Sequence, residues 1–100
     1  MKYNVCHRDI VLAFENIYSY TLKNNFSKVS FNIENTYFLN GRFHIGSYSF
    51  YFSYCSLEFR DKDEFALLVS YKSIGSNVIT KRFACMGDFI EFLDDAFINV

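Results

Sequence analysis

From residue 28 onward the chain alternates, with Val29, Phe31 and Ile33 apolar and Lys28, Ser30 and Asn32 polar. That is the period of a half-buried strand. Before it, over 9–23, the spacing is helical. Val11, Phe14, Tyr18 and Leu22 recur as one stripe with Ile10 and Ile17 beside it, which predicts an amphipathic helix with this stripe buried. Lys23 suits the negative end of the helix dipole, and Asn24 and Asn25 tolerate the left-handed backbone that ends a helix.

Asn40 and Gly41 give the strongest short-range signal, because a type I′ hairpin turn needs positive φ at both of its central residues. A turn there sets Leu39 opposite Arg42, Phe38 opposite Phe43, Tyr37 opposite His44 and Thr36 opposite Ile45. One hairpin face is then apolar through Phe38, Phe43 and Ile45, and the other carries Tyr37, Leu39, Arg42 and His44. Gly46 and Ser47 mark a bulge or turn, since an unbroken strand from Arg42 to Phe59 would exceed the usual length.

A further strand is expected over 48–59. The charged loop Arg60, Asp61, Lys62 and Asp63 then returns the chain into a strand over 64–72. Pairing Phe59 with Glu64 puts Phe50, Phe52, Tyr54, Phe65, Leu67, Val69 and Tyr71 on one face and Tyr51, Cys55, Leu57, Ala66 and Leu68 on the other. With both faces apolar, this hairpin is expected at the centre of the sheet, covered on both sides by helices or by a partner. Residues 73–77 read as a Gly-containing turn and 78–84 as a last strand.

Helical spacing returns at the end of the chain through Phe89, Leu93, Ala96 and Phe97. Asp88 is the expected N-cap, with Glu91 completing a capping box. Helix, hairpin-linked strands and helix in that order predict an α+β fold. It is one domain over 1–100, an antiparallel sheet of roughly four to six strands with an N-terminal and a C-terminal helix packed on it. Phe14, Val29, Phe31, Phe52, Leu67, Val69, Phe89 and Leu93 are the expected core.

Composition adds an aromatic excess. Thirteen Phe and eight Tyr in 100 residues are more rings than a small core easily hides, so some are expected near the surface as contact groups. The formal charge of −1 argues against a protein that works mainly by neutralising nucleic-acid phosphates. Residues 1–10, with Lys2, His7, Arg8 and Asp9, contain no apolar signal-peptide core, and no apolar run reaches membrane-spanning length. Cys6, Cys55 and Cys85 are far apart and lack metal-ligand spacing. They fit reduced thiols in a cytoplasm, acting as small hydrophobes. Cys85, between Phe83 and Met86, is expected to be buried.

Candidate chemistry is sparse. Arg42, His44 and Tyr37 could handle a phosphate or a proton if one strand face carries them, but no second His, carboxylate or Ser nearby in sequence completes a catalytic set. No phosphate-binding glycine loop, cofactor motif or metal motif is present. The expectation is a binding protein rather than an enzyme, with no cofactor and no metal.

Charge placement near the C-terminus points toward what is bound. No Lys or Arg follows Arg82, whereas Asp88, Glu91, Asp94 and Asp95 all fall in the last helix, opposite its apolar stripe. Asp94 and Asp95 approach the helix end that disfavours anions. A local rule broken without local benefit suggests an external use, here a surface that meets a basic protein, extended by Asp61, Asp63 and Glu64.

A small domain with no catalytic set, many aromatics and an acidic helix resembles the immunity proteins that bacteria pair with toxic nucleases, including those of contact-dependent growth inhibition systems. The resemblance rests on size, composition and architecture over the whole chain, with no specific motif. It implies a cytoplasmic inhibitor that covers the basic active site of a cognate toxin with acidic side chains. The alternative is a regulator that binds single-stranded nucleic acid through the ring stripe Tyr48, Phe50, Phe52 and Tyr54, with Lys72, Lys81 and Arg82 supplying charge. A homodimer subunit or small enzyme using the Arg42 and His44 face is the third reading, and Tyr37, Arg42 and His44 are also candidate partner-binding residues beside the acidic set.

Overall fold

The computed structural model describes residues 7–59 and 66–99. Helix α1 runs Arg8–Lys23. Five strands follow, β1 Ser27–Glu34, β2 Phe38–Ile45, β3 Tyr48–Cys55, β4 Leu67–Ser73 and β5 Ile79–Phe83, and helix α2 closes the order at Met86–Leu93. A short 3-10 turn, Leu57–Phe59, follows β3, and a π-helical turn, Asp94–Ile98, continues α2. The strands form one antiparallel sheet in the order β1-β2-β3-β4-β5. The α+β architecture expected from the pattern is the one formed.

The turns lie elsewhere than expected. Asn40 and Gly41 sit in the middle of β2, paired with Ser53 and Phe52 of β3. At the first two hairpin turns the left-handed residues are Asn35 and Thr36, between β1 and β2, and Gly46, between β2 and β3. Asn35 and Thr36 both have positive φ, and the Tyr37 N–H donates to the Glu34 carbonyl at 3.2 Å, so this pair makes the turn that the sequence suggests at Asn40 and Gly41. Gly41 serves another purpose. A Cβ there would collide with the Phe52 ring and come within 2.8 Å of the Phe31 ring, so the missing side chain is the space into which two aromatic rings close.

Moving the turn also changes the faces of β2. Leu39 joins Phe43 in the core, and Phe38 lies with Arg42 and His44 on the other side. Strand β3 ends at Cys55 rather than Phe59, and Tyr54 pairs with Leu67 and Phe50 with Tyr71. That register differs by two residues from pairing Phe59 with Glu64, and an even shift keeps each side chain on its face. Phe50, Phe52, Tyr54, Leu67, Val69 and Tyr71 are all buried together. Residues 60–65, with the expected loop, Glu64 and Phe65, lie outside the described residues.

Both helices cover this one face. Of the two covers expected for the second face, helices are ruled out among the described residues, since Tyr51 (44 % exposed) and Leu68 (43 %) stand on the open side, which leaves that face available to a partner. On α1 the buried stripe is Ile10, Ala13, Ile17, Tyr20 and Thr21, rotated from the expected one, and Val11, Tyr18 and Leu22 are exposed. Edge position explains β1, where Phe31 is half-buried and Val29 and Ile33 are exposed. Of the expected core, Phe14 is also only half-buried, while Phe52, Leu67, Val69, Phe89 and Leu93 are fully enclosed.

Cys85, not Asp88, is the N-cap of α2, and it is exposed. Beyond Leu93 the helix widens, and the Asn99 N–H reaches the Asp94 carbonyl at 2.8 Å. Ala96 is consequently not enclosed in the core, and Phe97 turns onto Tyr48 and Phe50 at ring distances of 5.0 and 5.1 Å. No helix among the described residues is long and apolar enough to cross a membrane.

Candidate interaction surfaces

The acidic residues of the C-terminal helical segment separate into two kinds. Asp88, Glu91 and Asp95 are exposed, and among the described residues no cation forms an ion pair with them. Asp88 lies in the first helical turn, where the dipole favours an anion. Asp94 is half-buried and has a local role, because the buried Tyr20 hydroxyl of α1 donates to its Oδ1 at 2.5 Å. Burial first, and then this carboxylate, push the Tyr20 phenol well above its ordinary range. The benefit missing at Asp94 in the sequence is supplied by a residue 74 positions away. Asp61, Asp63 and Glu64 lie outside the described residues.

The open sheet face is organised by register. One cross-strand row reads Ser27, His44, Ser49, Lys72, and the next reads Ser30, Arg42, Tyr51, Ser70, Thr80. A third runs Asn32, Asn40, Ser53, Leu68, Arg82. The Arg42 guanidinium carbon stands 5.9 Å from the Tyr51 ring centre, a cation–π distance. Arg42, Lys72 and Arg82 are thus displayed on one face, with His44 beside them. Glu34, at the corner near the first turn, accepts a hydrogen bond from the Asn40 amide.

Tyr37 does not join this group. It belongs to the β1–β2 turn, at the other end of β2 from His44, and stacks on Phe59 at 4.1 Å. The ring stripe Tyr48, Phe50, Phe52 and Tyr54 is on the helix-covered face, with the last three buried, so those rings are not a stacking platform for bases. Lys81 is also on that side, 5.3 Å from the Phe92 ring. The single exposed ring of β3 is Tyr51.

A further polar cluster joins α1 to the end of β3. The Asp9 carboxylate accepts from the Leu57 N–H at 2.7 Å, the buried Ser56 hydroxyl at 2.8 Å and the Tyr54 hydroxyl at 3.2 Å. Partial burial raises the Asp9 pKa, but these donors outweigh it and hold the carboxyl below its ordinary value. Beside it, His7 Nδ1 lies 3.0 Å from Glu58. Nothing local in the sequence connects Asp9 with Ser56, 47 residues later. Its three donors already engage both oxygens of the Asp9 carboxylate, which marks the cluster as a clamp between elements. Among the described residues no three His, Cys, Asp or Glu side chains converge as metal ligands.

Compared with models of protein families, with curated proteins and with solved structures, this chain has no match.

Proposed function

We propose that this chain is an immunity-type inhibitor, a cytoplasmic bacterial protein that binds a cognate toxin and covers its basic active site. Contact-dependent growth inhibition is the setting it resembles, and a basic nuclease is the kind of toxin its charge fits. The observation that carries this reading is the exposed set Asp88, Glu91 and Asp95. These carboxylates have no ion-pair partner among the described residues, on a helix whose other side is fixed in the core through Met86, Phe89 and Leu93. Rigid, unneutralised carboxylates can replace phosphate in a nuclease cleft with little ordering cost, and opposite charge accelerates encounter. Asp94 is assigned to the fold rather than to this surface.

The test is the combined variant Asp88→Asn, Glu91→Gln and Asp95→Asn. Its unfolding midpoint should fall only by the small dipole contribution of Asp88, while its affinity for a basic cognate toxin falls by about tenfold or more, equivalent to about 1.4 kcal/mol. A surface that steers encounter shows the loss in association rate, and one that is buried shows it in dissociation rate. Unchanged affinity and unchanged protection of cells by the variant would remove these residues from the interface.

A further inference from the structure

We infer that the open sheet face binds a phosphate-bearing ligand of nucleotide chemistry in the groove around Arg42, His44 and Lys72. The groove is open to solvent, has a volume of about 370 Å³, and its lining includes these three residues with Ser49, Ser70 and Tyr51. That volume lies within the range of small-ligand sites. Among the described residues no carboxylate lines it. The neighbouring groove on the same face sets Glu34 against Arg42 in its lining and so has no net positive charge, whereas the first has Arg42 and Lys72.

The register explains why the groove is assembled. His44, Ser49 and Lys72 form one cross-strand row and Arg42, Tyr51 and Ser70 the next, so two cationic side chains, Arg42 and Lys72, share one face of three adjacent strands with hydroxyl and imidazole groups. Arg42 and Lys72 would each offer a phosphate charge-assisted hydrogen bonds, with Ser49 and Ser70 as neutral donors nearby. Tyr51 holds the Arg42 guanidinium over its ring and so acts as a positioning residue for it. A base or sugar attached to the phosphate would extend over the exposed Tyr51 side of the face. The formal charge of −1 conceals this site, because the acids of α2 and the cations of the sheet lie on opposite layers. None of the α2 carboxylates takes part in it, so nucleotide binding and toxin binding stand or fall separately.

Two sources share this ligand chemistry, a free mononucleotide and a single-stranded nucleic acid. Fluorescence anisotropy of the intact protein with a labelled single-stranded oligonucleotide, competed by adenosine monophosphate, tells them apart. Complete displacement by the mononucleotide assigns the groove to small nucleotides, and resistance to displacement together with a steep salt dependence assigns it to a strand. In either case Arg42→Gln with Lys72→Gln should weaken binding by about tenfold or more. For a strand, the slope of log affinity against log salt should also drop by about 0.7 for each phosphate left without its cation. Tyr51→Ala should weaken binding and Tyr51→Phe should retain it, a contrast that loss of fold would not produce if both variants melt like the parent.

Glu91→Gln with Asp95→Asn should leave nucleotide binding unchanged or slightly stronger. The proposal is overturned if neither probe binds saturably at low salt, or if the Arg42 and Lys72 variant binds as well as the parent. It is also overturned if the same variant instead abolishes a concentration-dependent dimer, because the groove would then receive the acidic helix of a second copy.

Discussion

The Tyr20 hydroxyl donates a hydrogen bond to Asp94, and so the first helix of the chain is tied to the end of the last. A bond to a carboxylate is worth more than one between neutral groups, about 1.5 to 3 kcal/mol. Tyr20→Phe and Asp94→Asn should each lower stability toward urea by an amount of that order, and the double variant should lose much less than the sum. Glu91→Gln with Asp95→Asn should lose almost nothing. If Asp94→Asn proved as harmless as that pair, Asp94 would have no special role.

The same pair sets an alkaline limit. Burial and Asp94 raise the Tyr20 pKa, and burial and Tyr48 raise that of Tyr71, from an ordinary value of 10.0. The folded chain therefore holds these protons more tightly than the unfolded one. Stability is complete below the ordinary phenol range and falls as pH rises past about 10. Denaturation midpoints measured upward from neutral pH should show this decline, and it should be shallower in Tyr20→Phe.

Gly41 is expected to be among the least replaceable residues. Gly41→Ala would press a methyl into the Phe52 and Phe31 rings, with an expected cost of about 1 to 3 kcal/mol or more. If Gly41 were instead a turn glycine, Gly41→Asn would be tolerated. Thermal melts of both variants decide between packing and turn geometry, and the packing account requires Asn to be at least as damaging as Ala.

Asp9 should dominate the acid side. Its carboxyl is held below the ordinary value of 3.8 by the Leu57, Ser56 and Tyr54 donors against an opposing desolvation effect, so its contribution is present above about pH 4 and lost as pH falls through the depressed value. Asp9→Asn should reduce stability near neutrality by roughly 1.5 to 3 kcal/mol. The gap between variant and parent should then narrow in acid, as urea titrations at successive pH values would reveal.

Much of the fold is legible in the sequence, and the failures have specific causes. Period and order give helix, antiparallel strands and helix, and the β3–β4 faces survive a register error because the error is even. Asn40-Gly41 misleads because a glycine needed for ring packing has the same letters as one needed for positive φ; Asn35 and Thr36, lacking glycine, conceal the real turn. On α1 two overlapping apolar stripes compete, and packing against α2 and the sheet chooses the one through Ile10, Ala13, Ile17 and Tyr20. The acidic helix is visible, but the partner of Asp94 is not, because no local rule foretells a bond across 74 positions. Arg42 and His44 stand out in the sequence, whereas Lys72 and Tyr51 join them only through the strand register.

The sheet order β1-β2-β3-β4-β5 also has a consequence for synthesis. Each strand pairs with its immediate predecessor, so the sheet can zip up as the chain leaves the ribosome. The cover over Phe43, Phe52, Leu67 and Val69 remains incomplete until α2 arrives, and the Tyr20 clasp closes only when Asp94 follows. A nascent chain stopped before Met86 would thus present a broad greasy face to chaperones and proteases, and completion of the last helix is the checkpoint at which the molecule becomes durable.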